Sequence, residues 1–240
     1  MINKVLFIQS FQLEKEHLSD EILVWEVYLE NFLRAKCPSL DFDLLYLPVE
    51  QKNRAVTIES FREKEKFFTE MQSLISGLTF EPGQDTIICI SGTTSRHFLS
   101  SKLIAEYFQE QHPEAIIAFG GAHASACPCD FDYPHSPVDY VIRGEGEIPM
   151  WKLIQGANHR KHEIPVKLQM HPIPDLNDLP EIDFSLFNKY IKDFNRISIS
   201  LSRGCPFNCH FCMEDLLSDV DEIVKAWRAY SPRRANQEVE

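Results

Sequence analysis

The sequence has no apolar run approaching the roughly 20 residues of a membrane-spanning helix. Its first residues carry one early lysine and only the short apolar run Val5 to Ile8, so no secretory leader is expected. It has no internal repeat and no low-complexity tract, which speaks against a repeat array. Basic residues are scarce: 24 Lys and Arg face 36 Asp and Glu, for a net charge of −12. That balance disfavours a nucleic-acid or anionic-membrane partner. There is no G-x-G-x-x-G and no Walker lysine, so nicotinamide or ATP binding has little support. Cysteine is not scarce. Seven of them, an odd number, in a chain with no expected export signal point to a reducing, cytoplasmic setting and to metal ligation over disulfides.

What is present begins with short apolar runs separated by amphipathic stretches. Lys4 to Ser10, Asp41 to Leu47, Asp85 to Ser91, Ala115 to Phe119 and Val138 to Arg143 read as strands. Between them, helices are expected from Ser19 or Asp20 to Lys36 (Ile22, Trp25, Leu29, Phe32 and Leu33 inward), from Thr57 to Leu78 (Phe61, Phe68, Met71 and Ile75 inward), from Phe98 to Gln111 and from Ile148 to Gln155. Alternating strands and helices imply right-handed crossovers, a parallel sheet and an open, doubly wound α/β domain over residues 1–156. Five of the nine glycines, Gly92, Gly120, Gly121, Gly144 and Gly146, fall just after strands. That is the edge where such sheets bind ligands, although ordinary βα turns would also place glycines there.

Residues 157–195 carry Pro165, Pro172, Pro174 and Pro180 and read as a proline-rich linker, its His159, His162 and His171 solvated. Arg196 to Ser202 then alternates, with Ile197, Ile199 and Leu201 on one face, and reads as a half-buried strand. Cys205, Cys209 and Cys212 follow in C-x3-C-x2-C spacing, after the turn at Gly204. Three thiolates on so short a loop suit an iron–sulfur cluster or zinc. Structural zinc wants four ligands, and no fourth cysteine follows. Leu216 to Tyr230 reads as an amphipathic helix, and 232–240 as a disordered tail.

The cysteine loop, with Phe211 before its last cysteine, resembles the cluster loop of the radical S-adenosylmethionine (SAM) enzymes. The resemblance implies a 4Fe–4S cluster on Cys205, Cys209 and Cys212. Its open iron would chelate SAM, and an external electron donor would allow cleavage to a 5′-deoxyadenosyl radical for hydrogen abstraction from a substrate. Three upstream phrases extend the resemblance over residues 80–215. They are Ser91-Gly92-Thr93-Thr94, Phe119-Gly120-Gly121-Ala122-His123 and Asp139 to Glu147, the last containing Gly144-Glu145-Gly146-Glu147. In order and spacing they look like the cobalamin-binding, flavodoxin-like domain found upstream of the cluster in many members. There the first two line the groove for the corrinoid's nucleotide tail, and the Gly-Glu-Gly-Glu turn closes the same edge. The Asp-x-His-x-x-Gly that supplies a cobalt ligand in methionine-synthase-type domains is absent, so a bound cobalamin would lack that histidine.

Residues 196–231 then hold only the first βα unit of a partial barrel, and the chain by itself is not expected to turn over a substrate. Two other readings stay open at this point: a non-catalytic corrinoid-binding module with vestigial cysteines, and a metal-bound scaffold. Cys127-Pro128-Cys129 is a weak metal candidate, two loop cysteines alone being more often incidental. Cys37 and Cys89 read as core cysteines.

Overall fold

The apolar runs become strands because alternate side chains can be covered on both faces of a sheet. The structure, a computed structural model, describes residues 1–11, 21–23, 25–53, 62–156, 163–169, 171–207, 209–212 and 227–239. In chain order its elements are β1 (Lys4–Gln9), β2 (Glu21–Leu23), α1 (Trp25–Lys36), β3 (Asp41–Tyr46), α2 (Leu47–Lys52), α3 (Lys64–Ile75), β4 (Thr86–Ser91), α4 (Phe98–Gln111) and β5 (Ile116–Gly120). Then come α5 (Ala122–Ala126), β6 (Tyr140–Ile142), α6 (Glu147–Gly156), β7 (Val166–Leu168), β8 (Arg196–Ser198), β9 (Ser202–Arg203), β10 (Arg228–Ala229) and α7 (Pro232–Val239).

Six strands form one sheet in the order β3-β1-β4-β5-β6-β7. Each neighbouring pair is parallel, so all carboxyl ends share one edge. The chain steps from β1 outward to β3, then returns to β4 on the other side. The crevice between β1 and β4 is therefore the topological switch point, where open α/β sheets bind ligands. Alternation divides β1: Val5 and Phe7 enter one core and Leu6 and Ile8 the other. The first face is covered by α1 and α6 (Val27, Phe32, Met150, Leu153), the second by α3 and α4 (Phe67, Met71, Ile104, Phe108). This is the doubly wound, flavodoxin-like architecture that the alternation predicts.

Several elements differ from expectation. The capping positions Ser19 and Asp20 lie outside the described residues. Glu21–Leu23 is a strand paired with β8, so α1 begins only at Trp25. Trp25, expected inside, is 50% exposed, while Glu26 and Glu30 are buried. Leu47 opens α2 rather than closing β3, because Pro48 presets the first helical turn. In α3 it is Phe67 that is fully buried; Phe68 packs at its margin, and Thr57 and Phe61 lie outside the described residues.

The stretch expected to be a linker supplies β7 and buries Ile173, Leu176, Leu179, Phe187 and Tyr190 in the first core. Its His159 and His162 lie outside the described residues; His171 is exposed. The seven-residue strand at 196–202 is split. Its middle is captured by Tyr28, whose hydroxyl accepts from Ser200 N at 2.7 Å. β8 then pairs with β2, and β9 runs antiparallel to β10. The helix expected over Leu216 to Tyr230 falls mostly outside the described residues, but its last turn is the strand β10. The tail forms α7, with Pro232 at its first position and Arg234 paired to Glu238 one turn on. Among the described residues, no closed barrel forms and no helix is long and apolar enough to cross a membrane.

Candidate cofactor site

A cavity of about 590 Å³ opens at the carboxyl edge of the sheet. Its floor is apolar: Phe7, Cys89, Ile90, Ala118, Ile142 and Met150. Of the residues singled out in the sequence, Ser91, Thr93, Gly120, Gly121, Gly144, Glu145 and Gly146 line it. The opposite wall is Tyr28 with Ser200, Ser202, Arg203, Gly204 and Arg228.

Two glycine turns shape the edge. Gly121 has φ +97°, and a Cβ there would lie 2.8 Å from Gly92 O. Gly92 N donates to Gly120 O at 3.1 Å and His123 N to Gly92 O at 3.2 Å, so the two turns interlock backbone to backbone. Gly92 serves this packing rather than the cavity wall, since a Cβ on it would strike the Phe119 ring at 3.0 Å. Thr94 also lies off the wall; its hydroxyl, 2.9 Å from His97 Nδ1, caps the turn Ser95–His97. His123 is likewise absent from the wall. Its ring is buried, with Nδ1 3.1 Å from Ser95 Oγ and Nε2 2.9 Å from Asp130 Oδ2.

The Gly144-Glu-Gly-Glu147 turn binds protein groups. Gly144, at φ +69°, donates its N–H to Ser125 Oγ at 2.8 Å. Glu145 takes Arg203 at 3.2 Å and also pairs with Arg228; Glu147 takes Arg203 at 2.7 Å. Arg228 further donates to Ile173 O at 2.6 Å. Burial works against charge on Arg203, but Glu147 and then Glu145 outweigh it and raise its pKa above the ordinary range. Its guanidinium also sits 5.6 Å from the Tyr28 ring centre. Arg203 immediately precedes Gly204, whose φ of +78° turns the chain into the cysteine loop. That loop therefore leaves from the rim of the cavity.

Cys205 and Cys212 are half-buried, Cys209 is exposed and Phe211 is 93% exposed. Cys212 N donates to Cys209 O at 2.8 Å, closing a turn between the two. The three thiols do not converge at single-ion spacing; among the described residues only His123, Cys127 and Asp130 do so. Asn208 lies outside the described residues.

Several cavity residues escaped the sequence reading, among them Tyr28, Arg203, Arg228 and Glu26. Glu26, 3% exposed, lines the cavity, and neither carboxylate oxygen has a hydrogen-bond partner in another of the described residues. Burial pushes its pKa up to about 7, its own backbone amide offsetting this in part. The available signal was the pair Glu26 and Glu30, like charges one turn apart on a helix face rich in apolar residues.

A doubly wound sheet with a cavity at its switch-point edge, and a cysteine loop springing from the rim, defines an α/β protein of the flavodoxin-like type with a candidate ligand site. Comparison with known proteins narrows this to a circle of relatives. No protein-family model matches the chain. It is 24% identical over 229 residues to an uncharacterized methyltransferase of Pyrococcus horikoshii, covering 84% of this chain and 45% of that protein. It is 28% identical over 166 residues to the anaerobic magnesium-protoporphyrin IX monomethyl ester cyclase of Synechocystis, covering 62% and 32%. With the 2-(S-pantetheinyl)-carbapenam-3-carboxylate methyltransferase of Streptantibioticus cattleyicolor it shares 24% identity over 221 residues, covering 82% and 30%. The chain thus spans less than half the length of each relative.

Proposed function

We propose that this chain is the corrinoid-type α/β domain and cluster-bearing segment of a radical SAM enzyme, of the methyltransferase or cyclase kind its relatives' names describe. The observation that carries this is the junction at Arg203. The same residue clamps the Gly-Glu-Gly-Glu rim and leads directly into Cys205, so a cofactor on the cysteine loop and a ligand in the cavity would be neighbours.

The donor set fits the cluster. Cys205, Cys209 and Cys212 are three soft sulfur donors on one surface loop, the donor type that iron–sulfur clusters take. The chemistry that such a cluster supplies is one-electron cleavage of SAM. The chain's own residues set its surroundings: Arg203 fixes the start of the loop, and Glu145 and Glu147 hold Arg203. The cavity fits part of a corrinoid. Its floor is apolar, and the backbone at Gly120 and Gly121 is open to close approach. Among the described residues no histidine lines it; His17, in the stretch after β1, lies outside them. SAM, a substrate and an electron donor are the partners this requires.

Anaerobic reconstitution with iron and sulfide tests the proposal. About four irons and as much sulfide per chain are expected, lost in the triple variant Cys205→Ala/Cys209→Ala/Cys212→Ala. Hydroxocobalamin should bind and shift its visible spectrum. Stoichiometric zinc without sulfide would refute the cluster.

A further inference from the structure

We infer that His123, Cys127 and Asp130 form a second metal site, for a borderline divalent cation such as Zn²⁺, separate from both the cavity and the cysteine loop. His123 and Cys127 stand four residues apart across α5, so they share one helix face. Asp130 comes from the turn Pro128–Phe131, closed by Asp130 N donating to Cys127 O at 3.2 Å. One ligand atom from each residue lies within 4.8 Å of the other two. For bond lengths of about 2.0 Å to nitrogen and oxygen and about 2.3 Å to sulfur, tetrahedral ligands stand on the order of 3.3–3.6 Å apart.

Independent support comes from the imidazole. His123 is 4% exposed, packed on the Phe98 ring at 5.0 Å and the Phe119 ring at 6.3 Å between centroids. Nδ1 meets the Ser95 hydroxyl at 3.1 Å; with the ring proton on Nδ1 this is the outer hydrogen bond that orients a ligating histidine. Nε2 then faces Asp130 Oδ2 at 2.9 Å but makes no aligned hydrogen bond. With the proton on Nδ1, an Nε2 lone pair and a carboxylate oxygen this close repel unless a cation lies between them. A misaligned proton serves that purpose poorly, whereas a metal ion placed to one side, toward Cys127, serves both. Nitrogen, sulfur and oxygen donors together suit zinc or cobalt over magnesium or calcium. Binding expels the Cys127 thiol proton to solvent, and the fourth position is left to water or an incoming ligand. An ion there would tie the loop behind Gly121 to the turn at Ser95, bracing both loops of the cavity rim.

The test uses the full chain with Cys205, Cys209 and Cys212 all changed to serine, so that the cluster loop cannot contribute, and Co²⁺ as the probe under nitrogen. About one Co²⁺ per chain is expected, with a thiolate-to-cobalt charge-transfer band and the intense visible absorption of four-coordinate cobalt. Cys127→Ser should remove the charge-transfer band, Asp130→Asn should weaken binding at least tenfold, and Cys129→Ser should leave the spectrum unchanged. Circular dichroism checks each variant's fold; Asp130→Asn, on a partly exposed side chain, decides the matter if Cys127→Ser does not fold. Absence of a thiolate band, its survival in Cys127→Ser, its loss in Cys129→Ser, or full affinity in Asp130→Asn overturns the site. Because the assay contains no iron and no cluster cysteines, its outcome is independent of the radical SAM proposal.

Discussion

Residues 1–156 and residues 163–239 are held in place by different means. The first stretch builds two cores around continuous strands; one of them, from Leu6 to Val141, uses nothing beyond it among the described residues. The second has short ladders of two or three residues and attaches through specific polar ties. Tyr28 captures Ser200, Asn31 exchanges hydrogen bonds with the backbone of Asp183 at 2.8 and 3.0 Å, and Glu145 and Glu147 hold the two arginines. Self-packing gives a scaffold. Polar attachment gives a segment whose position depends on a few side chains, which under the proposed function suits a loop that brings one cofactor to another's edge.

The sharpest way to break this contrast is to cut the chain. The segment also lends apolar groups to the first core: Ile173, Leu176, Leu179, Phe187 and Tyr190. Five such side chains are worth on the order of 10 kcal/mol, comparable to the whole stability of a domain. A chain ending at Asn195 should unfold in one cooperative urea transition, and one ending at Gly156 should aggregate or lack that transition. Equal behaviour of the two would mean that the sheet is self-sufficient after all.

This dependence shows where sequence could and could not be read. Strands such as β4, with Ile87, Ile88 and Ile90 buried, announce themselves because local apolar content alone decides their fate. The glycine turns were legible for a similar reason: Gly121 adopts a conformation that side chains resist. The prolines of 165–180 suggested a linker because they break regular structure, but irregular backbone can still bury Ile173 and Leu176. The split at Ser200 was illegible, since it depends on Tyr28, 172 residues away. Glu26 and the turning of His123 toward Asp130 depend in the same way on tertiary neighbours.

Within the sheet the largest single effect should come from Phe119→Ala. Phe119 is fully buried, and its ring centre lies 4.5 Å from that of Phe131. Loss of about 3–5 kcal/mol is expected from urea unfolding, global in character. A cost below about 1 kcal/mol would show that this face of the sheet is loosely packed.

Glu26→Gln sharpens the contrast through pH. In the unfolded chain the carboxyl titrates near its ordinary 4.5, and in the folded chain at about 7. Below pH 4.5 both states hold the proton and the carboxyl has no effect on stability. Between these values the unfolded state ionises while the folded state keeps its proton, so stability falls as pH rises, levelling off above pH 7. A shift of this size corresponds to about 3 kcal/mol. The stability difference between Glu26→Gln and the parent chain should therefore move in favour of the variant by up to that amount from pH 4.5 to pH 8. A pH-independent difference would mean that the carboxyl is solvated rather than buried in the cavity wall.

The smallest effect, and the most local, belongs to the clamp. Arg203 and Glu147 meet at 2.7 Å with side chains only 10% and 6% exposed, so their attraction is weakly screened, but both groups also lost hydration on burial. The net pair term is therefore modest. A double-mutant cycle with Arg203→Gln and Glu147→Gln isolates it, and about 1–2 kcal/mol of coupling is expected. Glu145 still holds Arg228 in the double variant, so the sheet edge should stay formed and urea unfolding of the sheet should change little. What should change is amide exchange at Ser202, Arg203 and Tyr230, where β9 and β10 meet: roughly tenfold faster for each 1.4 kcal/mol lost, while amides of β4 and β5 keep their protection. If exchange rises equally in β4 and β5, the clamp belongs to the sheet's own stability and the two regions are one. If exchange is unchanged everywhere and the coupling is near zero, the cysteine loop is positioned by something other than Arg203, and the junction at the cavity rim loses its meaning for function.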